Sequence, residues 1–130
     1  MKIIIAGGRE FNQFHMMTQK MDIFISKLDE DIEIVSGTAN GADKLGEDYA
    51  NIRNLKIKRF PADWDKYGKG AGYKRNTEMA EYADALIAFW DGASRGTMHM
   101  INIAKKKGLQ VRVIRYSNTP AQSRDHIKGI

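Results

Sequence analysis

The residues best placed to do chemistry sit in small-residue turns, not in a cluster of nucleophiles. Asp91-Gly92-Ala93-Ser94-Arg95-Gly96-Thr97 follows an apolar run, Ala83 to Phe89, and precedes a helical pattern from Met98 to Lys107 that ends at Gly108. A strand-to-helix turn of this kind leaves the first backbone N–H groups of the helix unpaired. The helix dipole adds about half a positive charge there, and a phosphate is the natural occupant. Arg95 brings a full charge on a planar fork, and Ser94 and Thr97 bring hydroxyls. The plain alternative is a capped turn containing two glycines.

Two further turns repeat the theme. Gly7-Gly8 is followed by Arg9, which is suited to clamp a phosphate. Ser36-Gly37-Thr38-Ala39-Asn40-Gly41-Ala42-Asp43 is the second. Asp43 is either a helix-opening acid favoured by the dipole or an acceptor for a ribose hydroxyl or for Arg75. Arg75 and Asn76 open a helix after a glycine loop, where an arginine opposes the dipole and so answers an anion. Asp91 is a turn residue or a base contact. Trp64 and Tyr67 either stack on a base or cover the core.

No nucleophile–base pair stands out. Ser36 and Ser94 have no partner evident in the sequence. Asp43, Glu47, Asp63 and Glu78 are the available carboxylates. If the chain hydrolyses its ligand, Asp43 or Glu78 is the general acid or base. His15, His99 and His126 share no ligand spacing, so no metal is assigned.

The elements that carry these turns alternate. Lys2 to Ala6, Ile32 to Val35, Leu55 to Phe60, Ala83 to Phe89 and Gln110 to Arg115 read as strands. Phe14, Met17, Met21, Phe24 and Leu28 mark one face of a helix, with the methionines as core filler. Lys44 to Arg53 is helical with Leu45, Tyr49 and Ile52 on one side, and Tyr73 to Tyr82 is helical with Met79 and Ala83 inward. Ala62 to Gly72 is expected to be a functional loop. The β-α-β-α-β-α-β-α-β order implies an α/β, Rossmann-like three-layer fold with a five-stranded parallel sheet in the order 3-2-1-4-5. Ligands in such sheets sit beyond the carboxyl ends of the strands, where the order reverses. Arg9, Ser36 and Arg95 are therefore expected to share one hollow. Residues 1–116 form the domain, and residues 117–130, polar and without periodicity, form a tail.

Composition narrows the class. The chain has 130 residues, 42% hydrophobic and 28% charged, with no cysteine and a formal charge of +5. Disulfide frameworks and thiolate metal sites are excluded. No apolar run approaches a membrane span, and the opening segment is too short for a signal peptide, so a cytoplasmic protein with no membrane partner is expected. The basic excess suits an anionic partner, a phosphorylated small molecule ahead of nucleic acid.

Gly7-Gly8-Arg9-Glu10-Phe11, Val35 to Asp43, Phe60-Pro61-Ala62-Asp63-Trp64, Arg75-Asn76 with Met79, and Asp91 to Thr97 resemble the YspA-type, cpYpsA-related branch of the SLOG superfamily. The superfamily includes the DNA-processing protein DprA and the LOG phosphoribohydrolases. The resemblance spans about residues 1–115. It implies a Rossmann-like fold, a homo-oligomer, and a nucleotide or ADP-ribose-like ligand held by Gly7, Gly8, Arg9, Ser36, Gly37, Gly41, Ala42, Asp43, Arg75, Asn76, Asp91, Gly92, Ser94, Arg95, Gly96 and Thr97. That role makes the protein a sensor, carrier or sink. The alternatives are cleavage of an N-glycosidic bond and DprA-like binding of single-stranded nucleic acid. Against the LOG pattern, Gly96, Thr97 and Arg75 match, Ser94 replaces a glycine and Asn76 replaces a lysine. The acid position is Met100, which cannot move a proton.

Overall fold

Strands buried on both faces set the architecture. The computed structural model describes residues 1–117. The expected tail, Ser117 apart, lies outside the described residues. The elements are β1 (Lys2–Gly7), α1 (Phe14–Ser26), β2 (Glu33–Ser36), α2 (Ala42–Ile52), β3 (Lys56–Arg59), α3 (Trp64–Tyr67), α4 (Ala71–Tyr82), β4 (Ala85–Trp90), α5 (Arg95–Lys106) and β5 (Gln110–Arg115). All five strands are parallel, in the order β3-β2-β1-β4-β5. This is the expected Rossmann-like sheet, and its order reverses between β1 and β4.

Alternation along β1 divides the core in two. Ile3 and Ile5 face Met17 and Met21 of α1 and Tyr49 and Ala50 of α2. Ile4 and Ala6 face Met79 and Ala80 of α4 and Met100 and Ala104 of α5. Central parallel strands covered this way are apolar on both sides, whereas edge strands keep polar residues. Basic Lys56, Lys58 and Arg59 accordingly lie exposed on the β3 edge.

Local chemistry ends the helices. After α2, Asn54 takes a left-handed φ of 58°, Leu55 N donates to Ala50 O at 2.8 Å and Asn54 N to Asn51 O at 3.3 Å. After α5, Gly108 does the same at φ 84°, with Leu109 N on Ala104 O at 3.0 Å. Both are Schellman endings.

Three sequence expectations need correction. Ile52 does not share the burial of Tyr49: it is 58% exposed at the last position of α2. The stretch from Ala62 to Gly72 is not a plain loop. It holds α3, a turn of 3₁₀ helix over Gly68–Gly70 and the start of α4. Asp63 caps α3 by accepting from Lys66 N at 3.1 Å. Finally, α5 begins at Arg95, not Met98, so Arg95, Gly96 and Thr97 are its first turn.

Gly46 of α2 packs so close to β1 that a Cβ there would lie 3.0 Å from Cβ and Cγ2 of Ile5. Gly46→Leu is expected to lower stability by about 2 kcal/mol or more, read as a lower urea midpoint. A Cβ on Gly96 meets no atom within 4 Å. Gly96→Ala is expected to leave the midpoint unchanged or raise stability by up to about 1 kcal/mol.

Candidate functional site

The carboxyl ends of the central strands are tied together by backbone. Gly7 pairs with Phe89, so the turns after β1 and β4 start level. The Gly8 carbonyl accepts from Phe11 N at 3.2 Å and from Ala42 N at 3.1 Å, and Gly8 N donates to Phe89 O at 3.3 Å. The turn after β1 is thereby pinned to the first residue of α2 and to β4. Gly41 packs directly beneath the Gly8 and Arg9 backbone, and Ala42 is fully buried.

Arg75 reaches from α4 to the end of β2. It is only 9% exposed. Its Nη1 donates to the Gly37 carbonyl, and its Nε donates to Asn76 Oδ1 at 3.0 Å. Nη2 has no acceptor among the described residues and keeps access to solvent. On the other side of Gly37 lies Asp43, 7% exposed, whose Oδ2 accepts from Ala39 N at 3.1 Å. A Cβ on Gly37 would lie 2.7 Å from Asp43 Oδ2 and 2.8 Å from Arg75 Nη1. Only glycine lets both charged groups close on that peptide.

Burial governs both ionisations. Desolvation pushes the Asp43 carboxyl from 3.8 up to about 6, against the Ala39 hydrogen bond and the attraction of Arg75. Desolvation also pulls Arg75 below its ordinary value, against the attraction of Asp43.

The turn before α5 is built as a cap. Asp91 Oδ1 accepts from Ala93 N at 2.8 Å and Ser94 N at 2.9 Å, and these bonds hold its carboxyl below the usual range. Ser94 Oγ accepts from Thr97 N at 3.3 Å and lies 3.0 Å from Thr97 Oγ1. The amides of Arg95 and Gly96 keep no acceptor among the described residues. The capped-turn reading of Asp91 and Ser94 therefore holds, and the helix end still offers donors.

A cavity of about 430 Å³ lies over the switch between β1 and β4. It brings together Gly7, Gly8, Arg9, Asp43, Arg75, Asn76, Asp91, Ser94, Gly96 and Thr97. A second cavity of about 360 Å³ adds Gly37. Five expected site residues line neither: Ser36, Gly41, Ala42, Gly92 and Arg95. Of Arg9, Ser36 and Arg95, only Arg9 faces the shared hollow. Ser36 is 1% exposed, and its Oγ donates to Glu47 Oε2 at 2.7 Å and accepts from Thr38 N at 3.0 Å. It holds the loop from beneath. Arg95 is exposed on the first turn of α5, away from the cavity. Gly92 lies against the Arg115 guanidinium.

The candidate acid Glu78 is exposed and pairs with Lys74 at 3.4 Å, so it is not in the cleft. Glu47 is committed to Ser36 and to Arg59 at 3.0 Å. Trp64 lines both cavities, and Tyr67 lines neither.

The sequence reading missed Lys69, Tyr73 and Tyr116, which also line the first cavity. Tyr116 is 9% exposed, its hydroxyl has no partner among the described residues, and a Cβ on Gly8 would collide with it. His99 was also missed as a support. It stacks on Tyr73 with centroids 4.3 Å apart, and its Nδ1 lies 3.2 Å from Asn76 Nδ2. Asn76 Oδ1 accepts from Arg75, so its amide nitrogen donates to His99. Among the described residues no cluster of His, Asp or Glu could hold a metal, and no helix is long and apolar enough to cross a membrane.

A parallel α/β sheet with a polar cleft at its switch point defines a Rossmann-like scaffold. The model of the YspA, cpYpsA-related SLOG family matches residues 1–67. The Gene 61 protein of Mycobacterium phage D29 is 31% identical over 116 residues, covering 85% of this chain and 93% of that protein. The chain belongs to the YspA, cpYpsA-related SLOG family.

The raised Asp43 pKa has a stability consequence. The folded state binds this proton more tightly than the unfolded chain, so stability falls as pH rises from about 4 through about 6. Above pH 7 the ionised carboxylate costs up to about 3 kcal/mol. Asp43→Asn, which can still accept from Ala39 N, is expected to raise the denaturation midpoint above pH 7 and to lose that advantage below about pH 4. An advantage independent of pH would contradict a charge origin.

Proposed function

We propose that this protein binds a nucleotide or nucleotide-derived, ADP-ribose-like anion beyond the ends of β1, β2 and β4, serving as a sensor, carrier or sink. The observation that carries this reading is Arg75. A guanidinium nine-tenths buried, fixed at Nη1 and Nε, presents an unpaired Nη2 to the cleft. Buried cations without a counter-ion in contact are costly, and a phosphate would complete this one through charge-assisted hydrogen bonds. Arg9, exposed and without a hydrogen-bond or ion-pair partner among the described residues, stands beside the same cleft with the free amide of Gly96. Family membership supports a nucleotide-related ligand.

Binding outweighs hydrolysis in this reading. The position that carries the acid in LOG-type enzymes is Met100, which forms part of the cavity wall and is 1% exposed. Asp43 is the buried carboxylate of the cleft, and its role is to accept a ligand hydroxyl and to tune affinity through its proton. An anion bound near Asp43 favours the protonated carboxyl, so binding takes up a proton near pH 6.

A thermal-shift screen against nucleoside mono- and diphosphates and nucleotide sugars tests the proposal. At least one ligand is expected to raise Tm by an amount that grows with its concentration. Arg75→Met is expected to weaken that ligand by about tenfold or more. For a ligand without a terminal phosphate, affinity is expected to rise as pH falls from about 7.5 to about 5.5, and Asp43→Asn to flatten the dependence. Absence of any shift across the panel would overturn the reading.

A further inference from the structure

Asn76 is a junction, and both polar atoms of its side chain are committed. It is 6% exposed. Its Oδ1 accepts from Arg75 Nε at 3.0 Å. Its Nδ2 donates to the Gly96 carbonyl at 3.4 Å and meets His99 Nδ1 at 3.2 Å. Chemistry forces the orientation of the amide. A guanidinium can only donate, so the oxygen must face Arg75. A carbonyl can only accept, so the nitrogen must face Gly96. His99 receives the remaining N–H. Its Nδ1 is therefore the bare nitrogen of a neutral ring that carries its proton on Nε2.

The imidazole stands behind the cleft. Gly96 and His99 are three residues apart on α5, so one face of that helix supplies both partners of Asn76. Gly96 lines the first cavity, whereas His99 lines neither. The ring is half-buried and stacks on Tyr73 with centroids 4.3 Å apart. Of the other charged residues on α4, Lys74 pairs with Glu78 and Glu81 with Lys107. On its own helix, Arg95 precedes His99 by one turn. Burial is what lowers the imidazole pKa, with no contribution from a neighbouring charge among the described residues. The surroundings thus favour the neutral ring, the form the hydrogen-bond chain requires.

A proton on Nδ1 breaks the chain. His99 and Asn76 would then present donors to each other across 3.2 Å. Turning the amide over would set its nitrogen against Arg75 Nε and its oxygen against the Gly96 carbonyl, forfeiting both of those bonds. No orientation of Asn76 serves all three partners once the ring is charged. When Asn76 turns, Arg75 is left with the Gly37 carbonyl alone.

We propose that His99 is a positioning residue that makes the grip of the cleft proton-sensitive: its neutral ring fixes the Asn76 amide, and through it the Arg75 guanidinium, and its protonation loosens both. This rests on the anion-binding reading above.

The test follows the Arg75 Nε–H signal by nitrogen-15 NMR in the full chain without ligand. Asp43 titrates beside Arg75 as well, so the pH series uses Asp43→Asn. The Arg75 signal is expected to move with the midpoint of the His99 imidazole, and to stay still when His99→Asn is added. A still signal while His99 titrates would overturn the proposal. At about pH 7.5, single variants separate positioning from packing. His99→Phe keeps a ring on Tyr73 and has no acceptor. It is expected to speed hydrogen exchange at Arg75 Nε and to weaken sulfate binding, measured by calorimetry, each by about threefold or more. His99→Asn gives up the ring and keeps an oxygen near the place of Nδ1. It is expected to match the wild type in both measurements. The opposite ranking would overturn the proposal, because a role in packing alone needs the ring and not the acceptor. If the Arg75 signal behaves as expected and sulfate binds none of these chains, the anion site falls and the positioning of Arg75 stands.

Discussion

One guanidinium, crossing from α4 to the last turn of β2, organises the cleft. Arg75 donates to the Gly37 carbonyl, and Asp43 closes on the same peptide from the other side. The two charges are buried together without coming within contact range of an ion pair, so neither fully neutralises the other. Several features follow from that constraint. Position 37 must be glycine, because a methyl group would stand between carboxylate and guanidinium. Asn76 must accept from Arg75 Nε, and its amide then turns toward His99. A polar arrangement that a folded protein would otherwise avoid is held by three elements at once.

The sheet makes this possible by levelling its turns. Parallel pairing of β1 with β2 and β4 brings Gly7-Gly8, Gly37 and the Asp91–Ser94 turn to one edge. Backbone donors there are fixed by strand geometry and cost no side-chain entropy on binding. The side chains divide the labour. Asp91, Ser94 and Thr97 spend their hydrogen bonds on shaping the turn, while Arg9, Arg75 and the first amides of α5 face outward. Stability is given up at Asp43 and at Thr38, whose φ of 65° is left-handed; they line the first and the second cavity respectively. Such concessions gather at functional sites because selection holds them there against relaxation.

Much of this was legible in the residues. Alternating strand and helix patterns gave the topology, because short β-branched runs and three-to-four spacings report burial directly. The glycine turns do fall at the carboxyl ends of β1, β2 and β4. Individual side chains were harder. A turn motif shows that Ser36 and Arg95 are near the edge, but not which way each points. Ser36, at a strand end, faces Glu47 beneath the loop, and Arg95, opening a helix, faces solvent. Glu78 was a plausible acid until the helix phase set it beside Lys74 on the outer face. The helical turns between Trp64 and Gly70 left no periodic trace, since a four-residue helix followed by glycines is too short to show one. Tyr116 escaped notice because it sits just past the last strand, where pattern gives way to an aperiodic tail.

The titration of Asp43 tests the account at its centre. Carbon-13 NMR of the labelled carboxyl, followed against pH in the wild-type chain and in Arg75→Met, reads the electrostatics of the cluster without a ligand. The account predicts a midpoint near 6 in the wild type, moving higher once the neighbouring cation is gone. A midpoint near the ordinary carboxylate value of 3.8, unchanged by loss of Arg75, would contradict it.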